Sequence, residues 1–491
     1  MTSPPSGDAL PPAPGEAFVA DPDKIIRLLR RPAVQAVFRR ITRRRADGGC
    51  TLADFFKAYG TGRMTLGQKL KFAVPTWVTE YVRRKVGASR ETLAKRVFGH
   101  GPTARALVNT VRSVGHFGLT EPQSFVAPLM VVWNFTQACN FKCKHCYQDA
   151  HRVLPDELTL PEKLALVDKL AALDVSMLAF SGGEPLMGKD FWEVVRHAGE
   201  VGFHMSVATN GSLCTPEAVQ KLVDSKVGYV EVSLDSIDPA KHDEFRGGQG
   251  YWEAAVRGID ACIANANMKV GVATTVTQLN IDELEKIIAW CIDRGVNTFY
   301  AFNFIPTGRG RDIVSMDLSP QQREHMLAIL QKTLVEDKIA VMSSATQYGR
   351  ACIELGDADS AINTGHYGYS SGRKTRLLAR YVGGCGAGRC YCAIQPNGKI
   401  TPCVFMPIEI GDIRKDDFKQ MWLTHPVLKL LRDREDRTGH CKVCQYKLYC
   451  GGCRARSWGY FGDLRRSDPG CKFNMDEWRE IAGSGDAASE L

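Results

Sequence analysis

No stretch of this chain is apolar for long enough to cross a bilayer. The longest candidate, FVAPLMVVW at 125–133, falls far short of the roughly 20 apolar residues a spanning helix needs. The opening segment, MTSPPSGDALPPAPGEAF, lacks both a basic n-region and an apolar h-region, so a secretory signal is not expected. It reads instead as a disordered Pro-rich tail over 1–20. No acidic residue interrupts the nine basic ones between 24 and 45, yet no nucleic-acid-reading motif accompanies that charge. Nucleic acid is therefore not an expected partner. Composition is ordinary for a globular chain, with 44% hydrophobic and 24% charged residues, and 491 residues suffice for about two or three domains. A cytoplasmic protein is expected. What the chain does not lack is cysteine: there are 17, and in a reducing compartment tight clusters of them are metal ligands before they are disulfides.

The formal charge of +9 is uneven. Residues 1–127 hold 21 Lys and Arg against 9 Asp and Glu, and the remainder 42 against 45. The excess belongs to a basic helical extension over 21–127. Within it Ile25, Leu28, Leu29, Val34, Val37, Phe38 and Ile41 recur at helical spacing, arginines fill the other face, and Pro32 divides or kinks the run. Two readings stand. The arm lies on an anionic membrane from the inner face or grips an acidic partner, or it packs its apolar stripe on the main domain.

From residue 130 strand-like and helix-like segments alternate, beginning MVVWNFT, then PEKLALVDKLAALD, then MLAFSGG and FWEVVRHAGEVG. Six such units predict a parallel sheet wrapped by helices, an α/β fold with an open or partial barrel over 128–340. Chemistry in such sheets collects beyond the carboxyl ends of the strands. There the first strand runs into CNFKCKHC, with Cys139, Cys143 and Cys146 spaced x3 and x2. Three thiolates and a vacant position suit an open iron–sulfur site; zinc would need a fourth ligand, and His145 abuts Cys146 too closely to supply it without a sharp reversal. After the second strand comes SGGEP, where Gly182 and Gly183 allow close backbone approach, Glu184 offers a carboxylate to an ammonium group and Pro185 stiffens the exit. Asn210 ends the third strand, and Ser233 and Asp235 end the fourth, where they reach ribose hydroxyls or merely cap a helix.

The Cys-x3-Cys-x2-Cys loop followed by GGEP resembles the radical S-adenosylmethionine (SAM) superfamily. That resemblance implies a 4Fe-4S cluster on Cys139, Cys143 and Cys146, whose fourth iron takes the amino and carboxylate groups of SAM. Gly182, Gly183 and Glu184 would hold the methionine amine, Asn210, Ser233 and Asp235 the ribose or methionine, and His145 would lie beside the adenine. It implies an oxygen-sensitive enzyme handled anaerobically, supplied with electrons by ferredoxin or flavodoxin. Its 5′-deoxyadenosyl radical would abstract hydrogen from an unactivated C–H bond.

Residues 385–475 carry further cysteines in close pairs: Cys385-x12-Gly398-x4-Cys403, then Cys441-x2-Cys444-x5-Cys450-x2-Cys453, then Cys471. Spacing alone allows two zinc sites. The order resembles the SPASM domain, which implies two auxiliary 4Fe-4S clusters, one on Cys385, Cys392, Cys403 and Cys453, the other on Cys441, Cys444, Cys450 and Cys471. Two features depart from that pattern: the gap before Cys453 is one residue short, and Cys390 competes with Cys392 for one position. Val404 stands where sulfatase-maturing relatives carry an acidic base, which argues against formylglycine formation. The string CGGCRARSWGYFGDLRRSDPGC is similar to enzymes of alternative haem biosynthesis. A bulky substrate is expected, a tetrapyrrole or a membrane-held lipid. The alternatives are a ribosomally made peptide or a scaffold that only carries clusters. Residues 341–384 are expected to form a linker and 476–491 a C-terminal tail.

Overall fold

The computed structural model describes residues 22–85, 89–357, 362–363, 369–370 and 379–482. The Pro-rich tail expected over 1–20 lies outside them. Seven strands in succession build the centre: β1 (Met130–Asn134), β2 (Met177–Ser181), β3 (His204–Thr209), β4 (Val227–Ser233), β5 (Lys269–Val276), β6 (Thr298–Asn303) and β7 (Ala340–Ser343). Each lies parallel to its predecessor. Two short strands, β8 (Ile362–Asn363) and β9 (Tyr369–Ser370), pair apart from this sheet. The cysteine-rich region supplies β10 (Tyr391–Ile394), β11 (Lys399–Thr401) and β12 (Gly411–Asp412). β10 runs parallel beside β1, so the sheet order is β12-β11-β10-β1-β2-β3-β4-β5-β6-β7. The six expected units are present, and β7 and β10 extend the parallel run at either end. Residues 341–384, expected to be a linker, hold most of β7 and the helix Tyr348–Leu355; the helix Met475–Ala482 occupies the start of the expected tail.

Helices cross between strands on one side of the sheet, and their starts are written in the sequence. Thr159 and Glu162 form a capping box ahead of Leu160–Ala172, and Ser319 and Gln322 another ahead of Pro320–Glu336. Because side chains alternate across a strand, one face of the sheet meets these helices and the other encloses a cavity. The helix-facing set includes Val131, Trp133, Leu178, Phe180, Val230 and Val272, all essentially inaccessible to water. Each such side chain contributes about 1.5–3 kcal/mol by burial.

Pro32 does divide the basic arm, giving α1 (Pro22–Leu29) and α2 (Pro32–Ile41) with the proline at the first turn of α2, where its missing N–H costs nothing. α3 (Thr51–Gly60), α4 (Leu66–Lys71) and α5 (Ala73–Lys85) follow, then the helix Gly101–Phe117. Phe55, Phe56, Tyr59 and Phe72 give this extension its own apolar cluster. The arm is held down by its arginines: Arg30 pairs with Glu121 at 2.6 Å, Arg39 donates to Gly115 O at 2.8 Å, and Arg44 pairs with Asp174 at 2.7 Å. A buried ion network joins the barrel to the cysteine-rich region. Asp317 accepts from Arg323 (2.7 Å) and Arg456 (2.8 Å), and Arg456 reaches on to Asp468 (3.1 Å).

Candidate functional site

The loop carrying Cys139, Cys143 and Cys146 leaves β1 and is clasped from three sides. Gly183 N donates to Thr136 O (2.8 Å) and Glu184 N to Ala138 O (2.7 Å), so the segment after β2 lies directly against the loop's base. A Cβ on Gly183 would stand 2.1 Å from Ala138 O, which is why no side chain is tolerated there. After β4, Phe245 O accepts from Lys144 N. After β6, Arg309 donates through Nε to Cys143 O (2.8 Å) and pairs with Asp149 (2.6 Å).

Burial raises the Cys139 thiol to about 12, and Cys143 and Cys146 lie near enough that their negative charges would add to the effect. Cys143 is likewise raised by burial, against Arg246, whose Nη1 stands 3.7 Å from its sulfur. Among the described residues no three His, Cys, Asp or Glu side chains gather tightly round a single ion. The three thiols nonetheless open on one cavity, His145 beside them has a buried Nδ1 without a hydrogen-bond partner, and Arg246 brings positive charge to the Cys143 sulfur. These features fit a polynuclear cluster whose corners are held by one thiolate each. Burial also lowers the His145 imidazole to about 3, so it is neutral; it stacks on Phe245 with ring centres 4.2 Å apart.

Gly182, Gly183, Asn210 and Ser233 line the same cavity. Glu184 and Asp235 stand behind its wall. Glu184 is fully buried; its oxygens accept from Thr209 Oγ1 (2.9 Å), Asn210 N (2.9 Å) and Leu186 N (3.2 Å), and burial raises its carboxyl to about 7. Pro185, also buried, opens the short 3-10 turn Pro185–Met187 that follows. Asp235 accepts from Thr275 N (2.8 Å) and pairs with Arg246 Nε at 2.6 Å, so its carboxylate orients the guanidinium beside Cys143 rather than facing the cavity.

The cavity, about 470 Å³, continues from the cysteines into the barrel. Its inner walls are the alternate residues of the strands: Met130 and Val132 on β1, Tyr229 and Glu231 on β4, Tyr300 and Phe302 on β6. Burial raises Glu231 to about 7. Arg246, Arg309, Tyr229, Tyr300 and Glu231 were not singled out by sequence reasoning. The i, i+2 polar alternation in YVEVS was the one available signal for the pair on β4; Arg246 ends the helix Pro239–Arg246 and Arg309 lies in the 3-10 helix Gly308–Met316, neither within a short motif.

The auxiliary cysteines divide sharply. Cys441, Cys444, Cys450 and Cys471 all line one small cavity of about 20 Å³, with Gly452 N donating to Cys450 Sγ (3.3 Å) and Asn474 Nδ2 to Cys441 Sγ (3.7 Å). Of the other set, burial raises the Cys403 and Cys453 thiols, and Cys385 stands close enough to both that its negative charge would add to the effect. The structure does not bring Cys392 to them. It pairs with Val131 on the helix-facing side of the sheet, fully buried, and burial alone raises its thiol. Its neighbour Tyr391 points the other way, and the Tyr391 hydroxyl donates to Cys403 Sγ at 2.8 Å. Cys390 sits in the tight turn before β10, its thiol 3.6 Å from Gly386 O.

The family model described as Radical SAM superfamily matches residues 133–291, and that of the SPASM iron–sulfur cluster-binding domain matches 385–445. The chain is 33% identical over 348 residues to the AdoMet-dependent heme synthase of Methanosarcina barkeri, covering 70% of this chain and 96% of that one. It is 28% identical over 354 residues to mycofactocin maturase MftC of Mycolicibacterium smegmatis, covering 70% and 83%. Among solved structures, Streptococcus suis SuiB bound to S-adenosylmethionine shares the fold, with a TM-score of 0.60 over 86% of this chain and 93% of that one at 17% identity.

Proposed function

From the premise that the chain belongs to the radical SAM superfamily and carries a SPASM domain, we propose that it abstracts hydrogen from an unactivated C–H bond of a bulky tetrapyrrole-type substrate. It is a radical SAM enzyme, and its cofactors are a 4Fe-4S cluster, SAM and the auxiliary iron–sulfur clusters of the SPASM domain. When bound, the cluster and SAM supply a carbon radical by one-electron cleavage of the sulfonium. In this reading Cys139, Cys143 and Cys146 hold the cluster, the Gly182–Gly183 backbone, Asn210 and Ser233 meet SAM, and neutral His145 with Phe245 forms an apolar wall. Arg246 and Arg309 set the cysteine loop: the first places charge beside Cys143, the second fixes the loop's carbonyls. The electron comes from a cytoplasmic donor such as ferredoxin or flavodoxin.

The observation that carries the substrate class is the cavity's lining. Tyr229, Tyr300, Phe302, Tyr391 and Phe405 present aromatic and apolar surface below the cysteines, which suits a flat, largely apolar molecule. The extent of the match to a heme synthase supports the same class. Glu231, raised to about 7 by its burial, would in its protonated form meet the substrate as a hydrogen-bond donor.

The test is anaerobic turnover of the reconstituted enzyme with SAM, dithionite and either an iron porphyrin bearing propionate side chains or a pool of short peptides. A porphyrin mass change in step with 5′-deoxyadenosine release is expected. SAM cleavage that leaves every porphyrin unchanged while altering a peptide would replace this reading with the peptide-maturase alternative.

A further inference from the structure

We propose that the face formed by α4 and α5 docks the enzyme on an anionic lipid surface. Phe72, between the two helices, is the inward anchor: it is buried against Phe55, ring centres 5.7 Å apart. The opposite side of the same helices is apolar and wet. Leu66, Leu70, Val74 and Trp77 are 79%, 77%, 72% and 69% exposed, and Val78 and Tyr81 about half exposed at 46% and 49%. Within each helix the spacing gathers them on one face: Leu66 and Leu70 on α4, and Val74, Trp77, Val78 and Tyr81 on α5. Scattered exposed leucines need no explanation, but a contiguous stripe of six large apolar side chains marks a surface that something covers.

The charge around the stripe says what covers it. Arg63, Lys69, Lys71 and Arg84 are exposed beside it. Between residues 61 and 85 the one acidic residue is Glu80, already engaged by the Tyr59 hydroxyl (2.6 Å), Arg83 (2.8 Å) and Arg90 (3.1 Å). Within these residues the rim is thus cationic, its one carboxylate already paired. A second copy meeting this face isologously would set lysine against lysine, which disfavours self-association. An anionic bilayer satisfies both features, taking apolar side chains between its headgroups and basic ones against its phosphates. Trp77 and Tyr81, ring centres 5.8 Å apart, are the residue types that settle at headgroup depth. This places the contact away from the 24–45 arm, where Arg30, Arg39 and Arg44 are committed to protein partners. It is independent of the substrate reading.

The experiment is cosedimentation of the full-length protein with phosphatidylcholine vesicles with and without phosphatidylserine, at low and high salt. Binding to the anionic vesicles should exceed binding to neutral ones by roughly tenfold or more and weaken with salt. Leu70→Ser with Trp77→Ser should lose roughly tenfold or more of it, because two exposed apolar anchors are removed. SAM cleavage should be unchanged in that variant, which separates lost docking from misfolding and from failure of the catalytic reading. No wild-type binding, or equal binding by wild type and variant, would overturn the proposal. So would a wild-type dimer that dissociates in the variant while neither binds vesicles.

Discussion

The two auxiliary cysteine sets look equally complete in one dimension and differ in three. Cys441, Cys444, Cys450 and Cys471 sit on loops and one short helix, and all four thiols converge on one cavity. The other set runs through a strand. There Tyr391 and Cys392 must face opposite sides of the sheet, so the residue beside Cys403 is the tyrosine. Cysteine spacing in a loop can be read directly as ligand geometry; in a strand it must first be read for parity.

The largest expected effect tests the complete set. Cys450→Ala should remove about 4 of the roughly 12 iron atoms of the reconstituted protein, with loss of the matching electron paramagnetic resonance signal. Full iron retention would break the comparison at its firmer end. Next is the scaffold the two sets share. Asp468 accepts from Cys453 N (2.9 Å) and Gln347 (2.7 Å), pairs with Arg456, and lines the cavity shared by Cys441, Cys444, Cys450 and Cys471. Arg456→Met leaves buried carboxylates short of a partner, and urea denaturation should show a loss of about 3–5 kcal/mol. Iron should fall from both sets; loss from one alone would show that they are independent units.

Parity within the barrel gives a third test. Glu231 faces inward, and burial raises it to about 7. Its protonated form is favoured in the fold, so this stabilising contribution is complete below the unfolded carboxyl value, about pH 4.3, and is lost as pH rises through about 7. Glu231→Gln cannot ionise. The variant apoprotein should therefore be more stable than wild type at pH 8, by up to about 3 kcal/mol, and nearly equal to it below pH 4.3. Identical pH profiles would mean that the inward carboxylate is not desolvated. The smallest effect sharpens the comparison itself. Cys392→Ala should lower stability by about 1 kcal/mol through a small cavity, yet keep full iron. Iron loss there would show that β10 turns over when the cluster binds. Iron loss in Cys390→Ala instead would assign the fourth position to the turn.

What the sequence could show was short-range. The alternation of strand-like and helix-like segments revealed six strand–helix units, because periodicity depends on residues a few positions apart. The x3 and x2 spacing of Cys139, Cys143 and Cys146 was legible for the same reason, as was the division of the arm at Pro32.

The sequence by itself therefore determined the fold class, the cysteine loop and the glycine pair that must lie against it. Only the tertiary structure decided which side of each strand faces the cavity, that β10 joins β1 across about 260 intervening residues, and that Asp235 turns to Arg246. It also decided which basic segment is tied down and which apolar stripe is left in water. These outcomes depend on partners far apart in the chain. A buried carboxylate takes whichever guanidinium the fold brings within reach, and a helix face is exposed only if nothing else packs on it.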